Sequence, residues 1–194
     1  METPEKKRFV EIYTEKNPNP NSLKFVADQI FLPEGTVDFT DSTSAANCPL
    51  AVDLFRFNFV KRVFITANFI TVTKDESVEW EEITGMIRAL IKGYLEEGKP
   101  LFMEAIKIDT ISSDDPEIVQ KIKVLLDEYI RPAVEQDGGA INFKTWNEEQ
   151  GIVTVELQGS CSGCPSSTVT LKAGIENLMK RMIPEVNEVV AENV

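Results

Sequence analysis

Two cysteines three positions apart, Cys161 and Cys164, stand where an alternating strand pattern, Ile152 to Leu157, gives way to a helical pattern opening near Pro165. That spacing puts both sulfurs on a short, exposed loop at a helix N-terminus. Unpaired backbone N–H groups and the positive end of the helix dipole favour thiolate there. Thiolate is the form that binds a metal or attacks a disulfide. Two thiolates are only half of a tetrahedral ligand set. The chain has no His, and its one other cysteine, Cys48, lies far away in sequence. A metal site built on these cysteines therefore needs ligands from a second molecule.

Composition narrows the partners. The chain has 194 residues and a net charge of -12. Acidic residues outnumber basic ones in both halves, so neither half offers the basic surface that neutralises phosphates, and nucleic acid is excluded as a partner. The acidic surface suits solubility. Three cysteines in a chain of this size do not form a disulfide framework, which points to a reducing compartment. No apolar run approaches the roughly 20 residues that span a bilayer. The first residues, Met1 to Arg8, lack the apolar core of a secretory signal and carry acids unlike a mitochondrial transit peptide. The sequence reads as cytoplasmic, with the processed form of a mitochondrial matrix protein as the alternative.

Along the chain the patterns describe two small α+β domains. In the first, residues 1–97, a hairpin runs from Arg8 to Val26 and turns at Asn17-Pro-Asn-Pro-Asn21. A Pro-, Gly- and Asp-rich loop follows. Ser42, Thr43 or Ser44 is placed to cap a short helix that runs through Leu54. Two β-rich runs, Arg62 to Ala67 and Phe69 to Thr73, turn near Asn68. Ser77 is read as the cap of a long helix whose apolar stripe is Ile83, Ile87, Leu90, Ile91 and Tyr94/Leu95, stopped at Gly98 and Pro100. Residues 98–114 read as a linker, although Leu101 to Ile111 is apolar enough to form a strand that packs on a domain.

The second domain, residues 115–194, reads as α-β-β-α, with both helices on one face of a small sheet and the CxxC loop between strand and final helix. Asp115 is read as the helix cap and Pro116 as the first helical residue, ahead of a stripe of Ile118, Ile122, Leu125, Leu126 and Tyr129. Pro132 kinks or ends that helix. Asp137-Gly138-Gly139 turns the chain into the strands Ala140 to Trp146 and Ile152 to Leu157. The final helix presents Leu171, Ile175, Leu178, Met179 and Met182. Val186 to Ala191 forms an edge strand.

The residues alone leave three readings of Cys161 and Cys164 open, beside a pair of inert, partly buried thiols. The first is an iron–sulfur site completed by apposing two loops across a dimer axis. The small residues Gly159, Ser160, Ser162 and Gly163 let such a loop close on a cluster. The second is a dithiol–disulfide oxidoreductase, against which stands the antiparallel hairpin before the motif where a βαβ pattern is usual. The third is a Cys₄ zinc site shared by a dimer. Cys48 reads as a small packed residue. Asp137-Gly138-Gly139 needs only a turn to explain it.

The strings Arg131-Pro-Ala-Val-Glu-Gln-Asp-Gly-Gly139, Gly159-Ser-Cys-Ser-Gly-Cys-Pro-Ser-Ser-Thr-Val-Thr-Leu-Lys172 and Gly174-Ile-Glu-Asn-Leu178 closely resemble the C-terminal domain of the NifU family. In the first half, Asn17-Pro-Asn-Pro-Asn-Ser-Leu-Lys-Phe25, Pro49-Leu-Ala51 and Val63-Phe-Ile-Thr-Ala-Asn-Phe-Ile-Thr-Val-Thr-Lys74 resemble the N-terminal domain of Nfu proteins. The resemblance implies an iron–sulfur carrier and not an enzyme. Cys161 and Cys164 of two protomers would hold a [4Fe-4S] cluster, with [2Fe-2S] the other option. The implied partners are an upstream cluster scaffold, a second copy of the chain when loaded, and apo iron–sulfur client proteins. Ala140 departs from the polar or acidic residue many relatives carry after the double glycine. The scaffold and ferredoxin-like modules of longer NifU proteins have no counterpart here, which favours carriage over assembly.

Overall fold

The computed structural model describes residues 9–105, 115–162 and 165–193, with backbone alone for 165–168 and 193. The chain separates into two compact units. The first carries strands β1 (Ile12–Lys16), β2 (Ser22–Ala27), β3 (Thr36–Phe39), β4 (Val60–Thr66) and β5 (Phe69–Lys74), with helices α1 (Pro49–Phe55) and α2 (Trp80–Glu96). Its strands form one sheet in the order β1-β2-β5-β4-β3. β4 and β5 lie inside the sheet and are buried along most of their length, with Val63, Phe64 and Ile65 of β4 and Phe69, Ile70 and Val72 of β5 all buried.

One strand was not expected. β3 lies in the segment read as a loop and pairs antiparallel with β4 along the edge of the sheet. Asp38, a poor strand former, is accommodated because its buried carboxylate meets Arg62 at 2.7 Å. The caps of both helices also differ from expectation. α1 begins at Pro49 with Cys48 at the N-cap, because Asp41 Oδ1 accepts the N–H groups of Thr43 and Ser44 and folds that stretch into a separate turn. α2 begins at Trp80 with Glu79 at the N-cap, while the Ser77 N–H is held by Asp75 Oδ1. In each case an aspartate captures the backbone donors ahead of the helix. The α2 stripe is as expected: Ile83, Ile87, Ile91, Tyr94 and Leu95 are buried, and Leu90 packs against the core.

The chain after α2 stays with this unit. Gly98 takes φ +66, as a helix stop requires, and the Tyr94 hydroxyl donates to Pro100 O. Leu101 and Phe102 pack on the core, and Asn47 Oδ1 and Nδ2 bond Glu104 N–H and C=O, mimicking a strand partner. From Ile106 to Ile111 the expected strand falls outside the described residues.

The second unit runs α3 (Glu117–Leu125), a π-helical turn (Leu126–Ile130), α4 (Arg131–Gln136), β6 (Gly139–Asn147), β7 (Ile152–Gly159), α5 (Pro165–Met182) and β8 (Glu188–Asn193). Asp115 does not cap α3. The N-cap is Pro116, and the Asp115 carboxylate instead receives Lys123 at 2.6 Å. Pro132 does not end the helical run but sits in the first turn of α4, directly after the π-helical turn that interrupts the regular helix. It lacks an N–H and would press on the carbonyl four residues back, and the wide turn before it gives that room. The turn also rotates the stripe. Tyr129, expected in the core, is exposed, while Ile130 packs inward and Val134 is buried.

β6 and β7 pair antiparallel, and β8 joins β7 in parallel, so that α5 is a crossover between parallel neighbours. The expected edge strand is present. Ile122, Leu126, Val134, Ile175 and Met179 share one core with Ile141, Val153, Val155 and Leu157, which places the helices on one face of the sheet. On α5, Met182 is exposed and Ile183, just past the helix end, is buried in its place.

The cores set a simple expectation. Ile87→Ala removes a fully buried side chain and should cost roughly 2–5 kcal/mol. Met86→Ala, at a position 45% exposed on the same turn, should stay within about 0.5 kcal/mol. Urea unfolding of the two variants checks the assigned face of α2.

Candidate functional site

The site forms where two tight turns meet at one end of the β6–β7 pair. α4 ends at Asp137, and Gly138, at φ +79, reverses the chain into β6. Across the ladder Gly139 is paired with Gly159, which takes φ +65 and releases the chain from β7. Ser160, Cys161 and Ser162 then turn towards α5, with the Ser162 N–H donating to Gly159 O at 3.2 Å. Ser160 joins the two turns. Its N–H donates to Gly138 O at 3.3 Å, and its hydroxyl donates to Asp137 O.

Cys161 sits directly on Gly139. A β-carbon at residue 139 would lie 2.8 Å from Cys161 Sγ, 2.6 Å from Gln158 O and 3.2 Å from Cys161 N. No side chain fits there. Gly138 provides the turn that the sequence pattern asks for, whereas Gly139 is required by the close approach of the Gln158 carbonyl and the Cys161 sulfur together. The register of the ladder is the signal that finds it. A bulge between Phe143 and Thr145 shifts the pairing by one residue and sets Gly139 opposite Gly159.

The sulfur is more enclosed than expected for an exposed loop. Cys161 is 5% exposed and belongs to the core of the second unit, and Ser160 and Ser162 are buried beside it. Ala133 and Val134 of α4 and Thr170 and Leu171 of α5 line the hollow next to it. α5 directs its N-terminus to this end of the sheet, where its dipole favours negative charge. Cys164 lies outside the described residues.

Cys48 is not brought to the site. It is fully buried in the core of the first unit, at the N-cap of α1. Burial pushes its thiol up from 9.0 to about 11, against the N–H groups of Ala51 and Leu50, which pull it down. Between pH 9 and about 11 the unfolded thiol ionises while the folded one does not. The stability it contributes is therefore complete below pH 9 and lost across that window. Among the described residues no three His, Cys, Asp or Glu side chains gather as a metal-binding group.

The structure overturns one expectation about the motif's setting. The absence of a βαβ pattern stood against thiol–disulfide chemistry, yet β7–α5–β8 is a parallel βαβ unit with the Cys loop at its strand-to-helix junction. A hairpin partner precedes the motif as expected, but a parallel crossover lies beyond it.

Gly139→Ala should displace Cys161 Sγ and destabilise the second unit by about 1–3 kcal/mol. Gly174→Ala, in α5 with nothing near the added carbon, should stabilise by up to about 1 kcal/mol. Thermal melts compare the pair. In a peptide-resolved alkylation series, Gly139→Ala should quicken modification of Cys161 and leave Cys48 unmodified until denaturant is added.

The family described as "Scaffold protein Nfu/NifU N terminal" matches residues 12–98, and the "NifU-like domain" matches residues 122–190. NifU-like protein 5, mitochondrial, of Arabidopsis thaliana is 42% identical over 192 residues, covering 97% of this chain and 70% of that protein. The human NFU1 iron-sulfur cluster scaffold homolog, mitochondrial, is 45% identical over 184 residues, covering 94% of this chain and 72% of its own length. Its namesake in Drosophila persimilis is 46% identical over 186 residues, with 94% of this chain and 65% of that protein covered. With both halves matched in order and such identity along nearly its whole length, the chain belongs to the Nfu/NifU-like family of scaffold proteins.

Proposed function

We propose that this protein carries an iron–sulfur cluster, as cargo, from an upstream scaffold to apo-proteins. The observation that carries the reading is the seat of Cys161. Its sulfur is held on a glycine floor at the mouth of a helix, in a chain without His whose Cys48 is buried elsewhere. Cys161 and Cys164 are then the ligands one chain can offer, and two chains supply the four thiolates a cluster usually takes. The cargo we assign is [4Fe-4S], with [2Fe-2S] as the smaller option, held between two protomers.

Delivery is ligand exchange. A client thiolate replaces a carrier thiolate on iron, the freed cysteine takes a proton, and repetition moves the cluster while the dimer parts. No bond of a substrate is transformed, so the protein acts as a carrier and not as an enzyme. The relatives named mitochondrial support the mitochondrial matrix as its place of work. We place the division between the two functional halves in residues 98–114, with Leu101 to Glu104 leaning on the first unit.

A second reading is a dithiol–disulfide oxidoreductase, which the βαβ setting of the Cys loop favours. Anaerobic reconstitution with iron and sulfide separates the two. The carrier turns brown, shows the Mössbauer doublets of a cubane, and sediments as a dimer when loaded and as a monomer when empty. Cys161→Ala and Cys164→Ala should each abolish stable loading, whereas Cys48→Ala should leave it intact. A protein that stays colourless and reduces insulin disulfides catalytically would establish the second reading.

A further inference from the structure

Ser160 has two hydrogen-bond donors, and both reach the turn on the neighbouring strand. The N–H goes to Gly138 O and the hydroxyl to Asp137 O. Ser160 is 3% exposed, so its hydroxyl has little access to water and is committed to the carbonyl of Asp137, a residue at the exposed end of α4. The next side chain is Cys161. Its Sγ rests against Gly139, the residue directly after the two carbonyls Ser160 holds, and lies 3.9 Å from the Ser160 oxygen. Three consecutive residues of one turn, Asp137, Gly138 and Gly139, therefore meet two consecutive residues of the other, Ser160 and Cys161.

We propose that Ser160 is a positioning residue, a latch that clamps the Cys161 loop to the Asp137–Gly139 turn and sets the direction in which Cys161 Sγ meets iron. The part of this that concerns cargo rests on the carrier reading. The latch itself does not. With the hydroxyl in place, Sγ has one seat, bounded by Gly139 beneath and by Ser160 beside it. Without it, the loop loses its one side-chain bond from Ser160 to the turn while the Ser160 N–H and the Asn19 amide on Ser160 O remain, and the sulfur gains freedom to leave its seat. A small residue is needed at position 160 for room, but Ala would serve that need equally. The hydroxyl is what the latch adds.

The test uses the full chain carrying Ser160→Ala. In the empty protein, peptide-resolved alkylation of Cys161 should quicken by about fivefold to tenfold, the shift that loss of one net hydrogen bond supports. Cys48 should react as in the parent. In the loaded protein, the visible circular dichroism of the bound cluster should change and its release to a chelator should quicken by a similar factor. A residue that only held the fold together would lower the melting temperature and leave the spectrum of the loaded form alone. Unchanged alkylation of Cys161 would overturn the latch. Faster alkylation with an unchanged spectrum and release rate would overturn its role towards cargo. If parent and variant both fail to load, the carrier reading falls while alkylation still decides the latch. Should Ser160→Ala fail to fold, Gly139→Ala displaces Sγ from the opposite side and must move the same readouts, or the proposal is wrong.

Discussion

The close packing of Cys161 Sγ and the Gln158 carbonyl on the backbone of Gly139 is the constraint on which the candidate site depends. It leaves no space for a β-carbon, so residue 139 has one possible identity. It also ties the chemistry of one loop to the geometry of a turn more than twenty residues earlier. The sulfur can occupy this seat only if β6 and β7 are in register at their far end, with Gly139 opposite Gly159. Everything that fixes that register also fixes the sulfur, from the turn after Asn147 to the bulge near Phe143.

The helical layer serves the same end. A regular α-helix from Glu117 to Gln136 would strain at Pro132, and the π turn at Leu126–Ile130 relieves that strain. It also turns α4 so that Val134 enters the core, and it delivers Asp137 O to the Ser160 hydroxyl. A helix defect thus has a positional role, since one extra residue in one turn swings the rest of the helix to another face. α5 and β8 close the unit from the other side. The Glu176 carboxylate accepts the Val189 N–H and pairs with Lys180, which holds it below the usual carboxylate range and ties the crossover helix to the parallel strand it feeds.

The first unit shows a different economy. Its central strands are buried along most of their length, its one cysteine is sealed in the core, and its polar groups are committed to local structure. Asp41 and Asp75 organise turns ahead of the helices, and Asp38 with Arg62 secures the edge strand. Among its described residues no three His, Cys, Asp or Glu side chains gather as a metal-binding group.

Much of this was legible in the sequence, because the signals were local. Periodicity gave the stripes of α2 and α5, and Gly, Pro and Asn marked most of the turns. The Cys pair at a strand-to-helix junction marked the candidate site, and the structure places Cys161 at that junction. The errors came where two local signals competed. Asp41 and Asp75 drew the N–H groups of the expected cap residues Thr43, Ser44 and Ser77 into turns of their own, and Pro132 was absorbed by a π turn that no periodicity announces. The edge strand β3 was hidden because its stability comes from a neighbour in space and a buried ion pair. The identity of Gly139 as the floor of the sulfur depends on a bulge that shifts pairing by one residue, and pairing is a property of two strands together. The candidate residues for the chemistry were therefore written in the sequence by type and spacing. Which groups hold them in place was decided only by tertiary structure, because a hydrogen bond or a steric limit between distant segments exists only once the chain has brought them together.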